Sequence, residues 1–225
     1  MNKVLLFAPH FDDESLGCGG TLAKHVKAGD EVEVIFMTNG NSGSTLGDNL
    51  SQTEYSRLRS AEAANAMKVL GISKSECLEL EEGFMRLTPE LEKLLITIIR
   101  RHRPHTVYIP HDDENHNDHM VTSVAVTHAV HRARWTYFPH LGNKPHTVRE
   151  IRAYEISTPL RRPNLYVDIT DVVGIKEAAI RSYRSQLIHC QHDQASLGLN
   201  RFRGLTGLSV EFAEAFRLEI LDAVV

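Results

Sequence analysis

Only three cysteines stand in the chain of 225 residues, Cys18, Cys77 and Cys190. They are too few and too widely spaced for a disulfide framework or a thiolate zinc site, and read as small thiols in a reducing compartment. Long apolar runs are missing too. None approaches the roughly 18 residues needed to cross a bilayer, and Val4 to Ala8 is too short for a secretory h-region. The expected location is cytoplasmic, with no membrane span. Nor is there an excess of positive charge: 25 Lys and Arg face 29 Asp and Glu, a formal net charge of -4. The overall field therefore does not attract a phosphate backbone, which argues against nucleic acid as a partner. No linker, repeat or low-complexity tract divides the chain, so residues 1–225 read as one domain. With 42% hydrophobic residues it can bury one core. Assembly into a homo-oligomer is left open.

Histidine is what the composition has in excess, 13 of them, and position decides their meaning. Val4 to Ala8 and Glu31 to Thr38 have the apolar character of parallel strands covered on both faces. Leu16 to Ala28, closed by Gly29, reads as a helix, and so does Gln52 to Leu70, stopped by Gly71. Cys77 to Leu80 is a short strand. A stripe of Leu87, Leu91, Leu94, Leu95, Ile98 and Ile99 marks a helix that ends in Arg100, Arg101 and His102 before Pro104. His105 to Ile109 is the next strand, then come a polar loop from Pro110 to Asn117 and a helix from about Asp118 to Arg134. Beyond it, Trp135 to Pro145 reads as an aromatic loop, Glu150 to Ser157 and Leu165 to Ile169 as strands, and Val172 to Ile188 as a helix. Regular alternation of strand and helix predicts an α/β fold. Its form is a Rossmann-like, doubly wound, mostly parallel sheet, ordered 3-2-1-4-5 at its core, with helices on both faces.

Two turns carry the chemistry. After the first strand comes Pro9-His10-Phe11-Asp12-Asp13-Glu14; after the strand at 105–109 comes His111-Asp112-Asp113-Glu114-Asn115-His116-Asn117-Asp118-His119. In the predicted strand order the two strands are neighbours where the winding reverses, so both turns reach one crevice. Two histidines and one carboxylate with an open coordination position match a catalytic zinc site, although the same donors suit Fe2+. Bound zinc lowers the pKa of water to about 7 and polarises carbonyl groups, which points to hydrolysis.

These turns resemble the PIG-L/LmbE-like family of zinc-dependent N-acetylglucosaminyl deacetylases, whose signature is His-Pro-Asp-Asp-Glu after a strand and a later His-Pro-Asp-His. The counterparts here are His10-Phe11-Asp12-Asp13-Glu14 and His116-Asn117-Asp118-His119, supported by Leu16-Gly17-Cys18-Gly19-Gly20-Thr21 after the first turn. Further likeness runs through Arg59 to Glu62, Tyr183-Arg184-Ser185-Gln186 and Glu211 to Phe216. The resemblance implies one Zn2+ held by His10, Asp13 and His119, with Asp12 as general base. It further implies His116 as oxyanion support or proton donor, Asp118 orienting a histidine, and Arg59 contacting a small N-acetyl sugar or glycoconjugate. Phe11 and Asn117 depart from the family, which usually has proline at both places.

Blander readings accompany these. Asp118 can serve as the N-cap of its helix. His111 reads as a solvated loop residue, His128 as a packed core histidine, and His189 and His192 as surface residues. Arg59 and Glu62 can form an exposed i,i+3 pair. Gly17, Gly19 and Gly20 fail the dinucleotide-binding spacing, because Leu22 takes its last place, and read as permitting close helix packing. The loops at Asn39 to Asn49 and Trp135 to Pro145 are expected to border the pocket. Two other functions compete: a metal-dependent hydrolase of a non-sugar amide or ester, and a non-catalytic module binding metal or nucleotide.

Overall fold

Alternation along the first strand lays out the molecule. In β1 (Lys3–Ala8), Val4, Leu6 and Ala8 enter one buried cluster and Leu5 and Phe7 another, so the strand is apolar on both faces and must be covered on both. The computed structural model describes residues 1–42, 50–142, 144–188 and 190–221. Parallel to β1 run β2 (Glu31–Thr38) and β4 (Thr106–Pro110), one on each side, with β3 (Lys74–Leu80) beyond β2 and β5 (Glu150–Tyr154) beyond β4. The predicted 3-2-1-4-5 order is thus the core of a seven-stranded sheet ordered β3-β2-β1-β4-β5-β7-β6.

Helices α1 (Asp13–Lys27), α2 (Gln52–Leu70) and α5 (Val173–Ile180) cover the face built on Leu6, Val34 and Phe36. On the other face, α3 (Pro89–His102) and α4 (Asn117–Ala133) pack over Leu5, Phe7 and Ile35. Each boundary has a local cause. Ser51 and Glu54 form a capping box at the start of α2, Gly71 ends it at φ 76°, and Thr88 with Pro89 opens α3. No helix among the described residues is long and apolar enough to cross a membrane.

The chain after residue 135 departs from expectation. The predicted helix at 172–188 is broken after α5: Tyr183 turns inward and a four-residue helix, α6 (Arg184–Leu187), follows. Two further elements, α7 (His192–Arg203) and β7 (Ala213–Ile220), lie outside the predicted pattern. β7 runs antiparallel to β5 and to β6 (Leu165–Asp168), stitching both into the sheet. Its sequence, AEAFRLEI, mixes charged and apolar residues because Glu214 is buried in an ion pair with Lys176, both side chains fully covered and 2.7 Å apart. His128, expected in the core, is half-exposed and bonds Glu92 at 2.8 Å. The described residues of the Trp135 to Pro145 loop do not border the crevice. The loop joins the base of α4 to the start of β5, and His146 beside it bonds Ala133 and Pro104, at the sheet edge opposite the two turns. In the other expected border loop, residues 43–49 lie outside the described residues, as does His189.

The glycines of α1 pack as expected. The helix kinks at Cys18, and a Cβ on Gly17 would stand 2.4 Å from the Tyr154 ring, one on Gly20 2.7 Å from Ile169. Gly20→Ala is therefore expected to cost roughly 1–3 kcal/mol by overpacking, read as a lower urea midpoint with unchanged slope. An unchanged midpoint would contradict this packing.

Candidate metal centre

The turn after β1 is a strained one. Asp12 adopts φ 115°, a backbone shape costly for any residue but glycine, and its surroundings hold it there. Thr38 donates its N–H and its hydroxyl to Pro9 O. The buried Glu14 carboxylate accepts Asp12 N–H at 3.2 Å, and the Ser15 and Tyr183 hydroxyls bond its other oxygen. Burial raises Glu14 to about 7 despite these bonds. Phe11, where the family has proline, is buried against Phe36, while its carbonyl accepts from Arg59.

From this turn and the one after β4, three atoms converge. His10 Nδ1 and Asp13 Oδ2 lie 3.4 Å apart, His119 Nε2 and Asp13 Oδ2 3.3 Å, and His119 Nε2 and His10 Nδ1 3.2 Å. A tetrahedral ion with bonds of about 2.0–2.1 Å sets its ligand atoms roughly 3.3–3.4 Å apart. The triangle fits, and two ring nitrogens facing each other across it suit a shared cation better than they suit each other. His116 stands just outside, its ring centroid 4.6 Å from that of His10 and 5.3 Å from that of His119. With His10 and His119 it makes a second, wider group of ligand atoms within 4.8 Å.

Carboxylates orient the imidazoles from behind. Asp118 Oδ2 accepts the His10 Nε2 proton at 3.1 Å, which leaves Nδ1 as the nitrogen facing the triangle. Asp118 is not the N-cap of α4: His116 fills that place, its Nδ1 accepting Asp118 N–H at 3.2 Å, so that Nε2 is left for the crevice. Asp118 further accepts N–H groups from Gly83 and Met85, and Asn117, at the second missing proline, donates to Met85 O. These bonds pull the loop after β3 onto the site. Behind His119, Glu114 Oε2 stands 3.8 Å from Nδ1, which is buried with no hydrogen-bond partner among the described residues. His111 is buried instead of solvated. Its Nδ1 accepts Asp113 N–H and its Nε2 donates to Thr158 O, so both nitrogens are used structurally.

Arg59, expected as a substrate contact, is packed beneath the turn. It is 2% exposed, 3.0 Å from Glu82 Oε1 and 3.7 Å from Asp12 Oδ2, with its guanidinium directed beneath the turn. It forms no pair with Glu62, which is itself buried and accepts from Ser185 N–H and hydroxyl. Sequence reasoning gave no role to Glu14, Glu82, Glu114 or Tyr183. The first and third stood inside the two acidic turns, Tyr183 stood in a stretch of family likeness without a role of its own, and Glu82 carried no local signal.

Electrostatics follow from this crowding. Burial disfavours the charged form of His10, but its bonds to Asp118 and Asp13 outweigh that and raise it to about 10. His119 is raised to about 9, burial being outweighed by Asp13. Asp13, though buried, is held well below the carboxylate range by His119 and His10. Asp12 goes the other way: burial lifts it to about 8 against the pull of Arg59. His116 is lowered by burial and by the two neighbouring imidazoles.

Comparisons with known proteins place the chain in a family. The PIG-L family, described as GlcNAc-PI de-N-acetylase, matches residues 5–130, a span that contains both turns. The chain is 32% identical over 193 residues to a diacetylchitobiose deacetylase of Thermococcus kodakarensis, covering 83% of this chain and 70% of the relative. Among solved structures, the N,N'-diacetylchitobiose deacetylase of Pyrococcus horikoshii superposes with a TM-score of 0.88 at 30% identity, covering 97% and 84% of the two chains. A conserved protein of Thermus thermophilus superposes at 0.87 and 32% identity over 100% and 98%. The chain belongs to the PIG-L family of LmbE-like proteins.

Two measurements check the centre. Asp118→Asn is expected to weaken zinc binding about 10–100-fold, read by competition with a chromophoric chelator; wild-type affinity would remove Asp118 from ligand orientation. Loading ion-free protein with zinc at pH 7 is expected to release protons, because His10 and His119 hold them there and a ligand nitrogen must be bare. Affinity should then rise with pH. Calorimetry in buffers of different ionisation enthalpy reads this, and proton-neutral binding would contradict it.

Proposed function

We propose that the protein is a zinc-dependent N-deacetylase, removing the acetyl group from an N-acetylglucosamine-type sugar or conjugate to release acetate and a free amine. The observation that carries this reading is the buried triangle of His10, Asp13 and His119 beside an unliganded carboxylate at Asp12. Relatives named as deacetylases of N-acetylglucosamine-containing compounds support it.

We assign His10, Asp13 and His119 as the zinc ligands, with residues 1–225 acting as one catalytic domain. When bound, zinc supplies Lewis acidity, polarising the acetamide carbonyl and acidifying water at an open coordination position. Asp12 is the general base, taking the proton of the attacking water. In the ion-free protein its carboxyl is raised to about 8; positive charge at the neighbouring ligands favours its ionised form. His116, exposed and lowered, faces the crevice through Nε2. There it stabilises the tetrahedral oxyanion or passes a proton to the leaving nitrogen. Asp118 holds His10, and Arg59 holds the turn that carries Asp12. Each of the four acts on the reacting atoms or directly behind them, so the assignment differs from a module that only binds metal.

Asp12→Asn is expected to lower kcat by about 10²–10⁴-fold while bound zinc stays near one per chain. Acetate release from N-acetyl sugars and from non-sugar acetamides, with and without a chelator, provides the measurement. Full turnover by the variant would exclude Asp12 as base. A preference for non-sugar amides would replace the sugar reading.

A further inference from the structure

Beside the catalytic turn lies a basic cavity that the reaction does not use. It has a volume of about 340 Å³ and is bounded by Arg161, Arg162 and Arg217 together with His111, Asp113 and Leu160. In a chain of net charge -4, three arginines against the single acid Asp113 along one cavity leave a local excess of positive charge. Arg217 pairs with Asp112 at 2.7 Å. Arg161 and Arg162 are exposed and, among the described residues, enter no ion pair.

The two free arginines sit on a fixed support. The loop from Glu155 follows the C-terminal end of β5, which is the crevice edge of the sheet. Glu155, 4% exposed, accepts Leu160 N–H at 2.7 Å and holds Arg203 through both oxygens, while Arg203 also donates to Leu160 O. Leu160 is thereby pinned directly before Arg161. Nearer the site, the Glu114 carboxylate accepts N–H groups from Ile156, Ser157 and Thr158, and His111 holds Thr158 O. Glu114 is also the carboxylate behind His119. One carboxyl group therefore separates the wall of the basic cavity from a ligand of the metal centre.

We propose that this cavity is an anion-binding subsite, in which Arg161 and Arg162, assisted by Arg217, take an oxyanion substituent such as a phosphate ester carried by the N-acetyl sugar. Guanidinium forks bind such groups through two parallel hydrogen bonds. A loop tied at Leu160 and at residues 156–158 loses little freedom on binding, so the contact orients the sugar toward His116 and His119. The inference rests on the deacetylase reading and narrows its substrate to acidic sugars.

The test compares N-acetylglucosamine with its 1- and 6-phosphates, by calorimetric binding and by acetate release, in the zinc-loaded wild type and in R161A/R162A. The wild type is expected to favour at least one phosphate in kcat/KM by roughly tenfold, mainly through KM, with the preference shrinking as salt is added. In the double variant the ratio of phosphate to neutral sugar falls to near one. Equal handling of phosphate and neutral sugars by the wild type, or a preference that survives in the variant, overturns the subsite. Arginine-dependent phosphate binding without acetate release would instead retain the subsite and overturn the deacetylase reading.

Discussion

A hydrogen bond between residues 108 positions apart, from His10 Nε2 to Asp118 at 3.1 Å, is the constraint on which the site depends. It ties the turn after β1 to the turn after β4, and it sets which nitrogen of His10 faces the metal position. The surrounding charges leave little choice. Asp12, Asp13 and Glu14 are consecutive and largely buried, so each requires a different partner: Arg59 near Asp12, the histidines for Asp13, and Ser15 and Tyr183 for Glu14. An unpartnered carboxylate in that position would lose its charge or unfold its turn. Residues far from the crevice in sequence are therefore part of its construction.

A second buried ion pair carries this dependence to the end of the chain. Glu214 of β7 accepts Gly20 and Thr21 N–H groups at the kink of α1, and Lys176 of α5 bonds both Glu214 and Leu16 O. The break in α1 is thus capped by a side chain nearly 200 residues later. Because Asp13 opens the same helix, the strand formed last in sequence helps to orient a proposed ligand supplied first. Buried pairs of this kind add little net stability but penalise any arrangement that separates them.

The fold by itself does not select the reaction. What separates chemistries on such a scaffold is the set of groups at the crevice: here the His10, Asp13 and His119 triangle, the Asp12 carboxyl beside it and the side chains on the rim. That is why Arg161 and Arg162, on a loop outside the family signature, bear on substrate choice.

The local pattern of residues determined the parallel core, its strand order and the two turns rich in histidine and carboxylate. Apolar runs such as Val4 to Ala8 can only be doubly covered strands, and ligand residues sat together within nine positions or fewer. Tertiary structure decided what depends on distant partners. Tyr183 breaks a helix that Val172 to Ile188 would otherwise continue, because its hydroxyl reaches Glu14. β7 is hidden from a local reading because its buried Glu214 looks like a surface residue until Lys176 is brought beside it. Arg59 reads as an exposed cation until the fold places Glu82 and the Phe11 carbonyl around it. Periodicity records which face of an element is buried; it holds no record of which charge will meet which, since that pairing exists only once the chain has closed on itself.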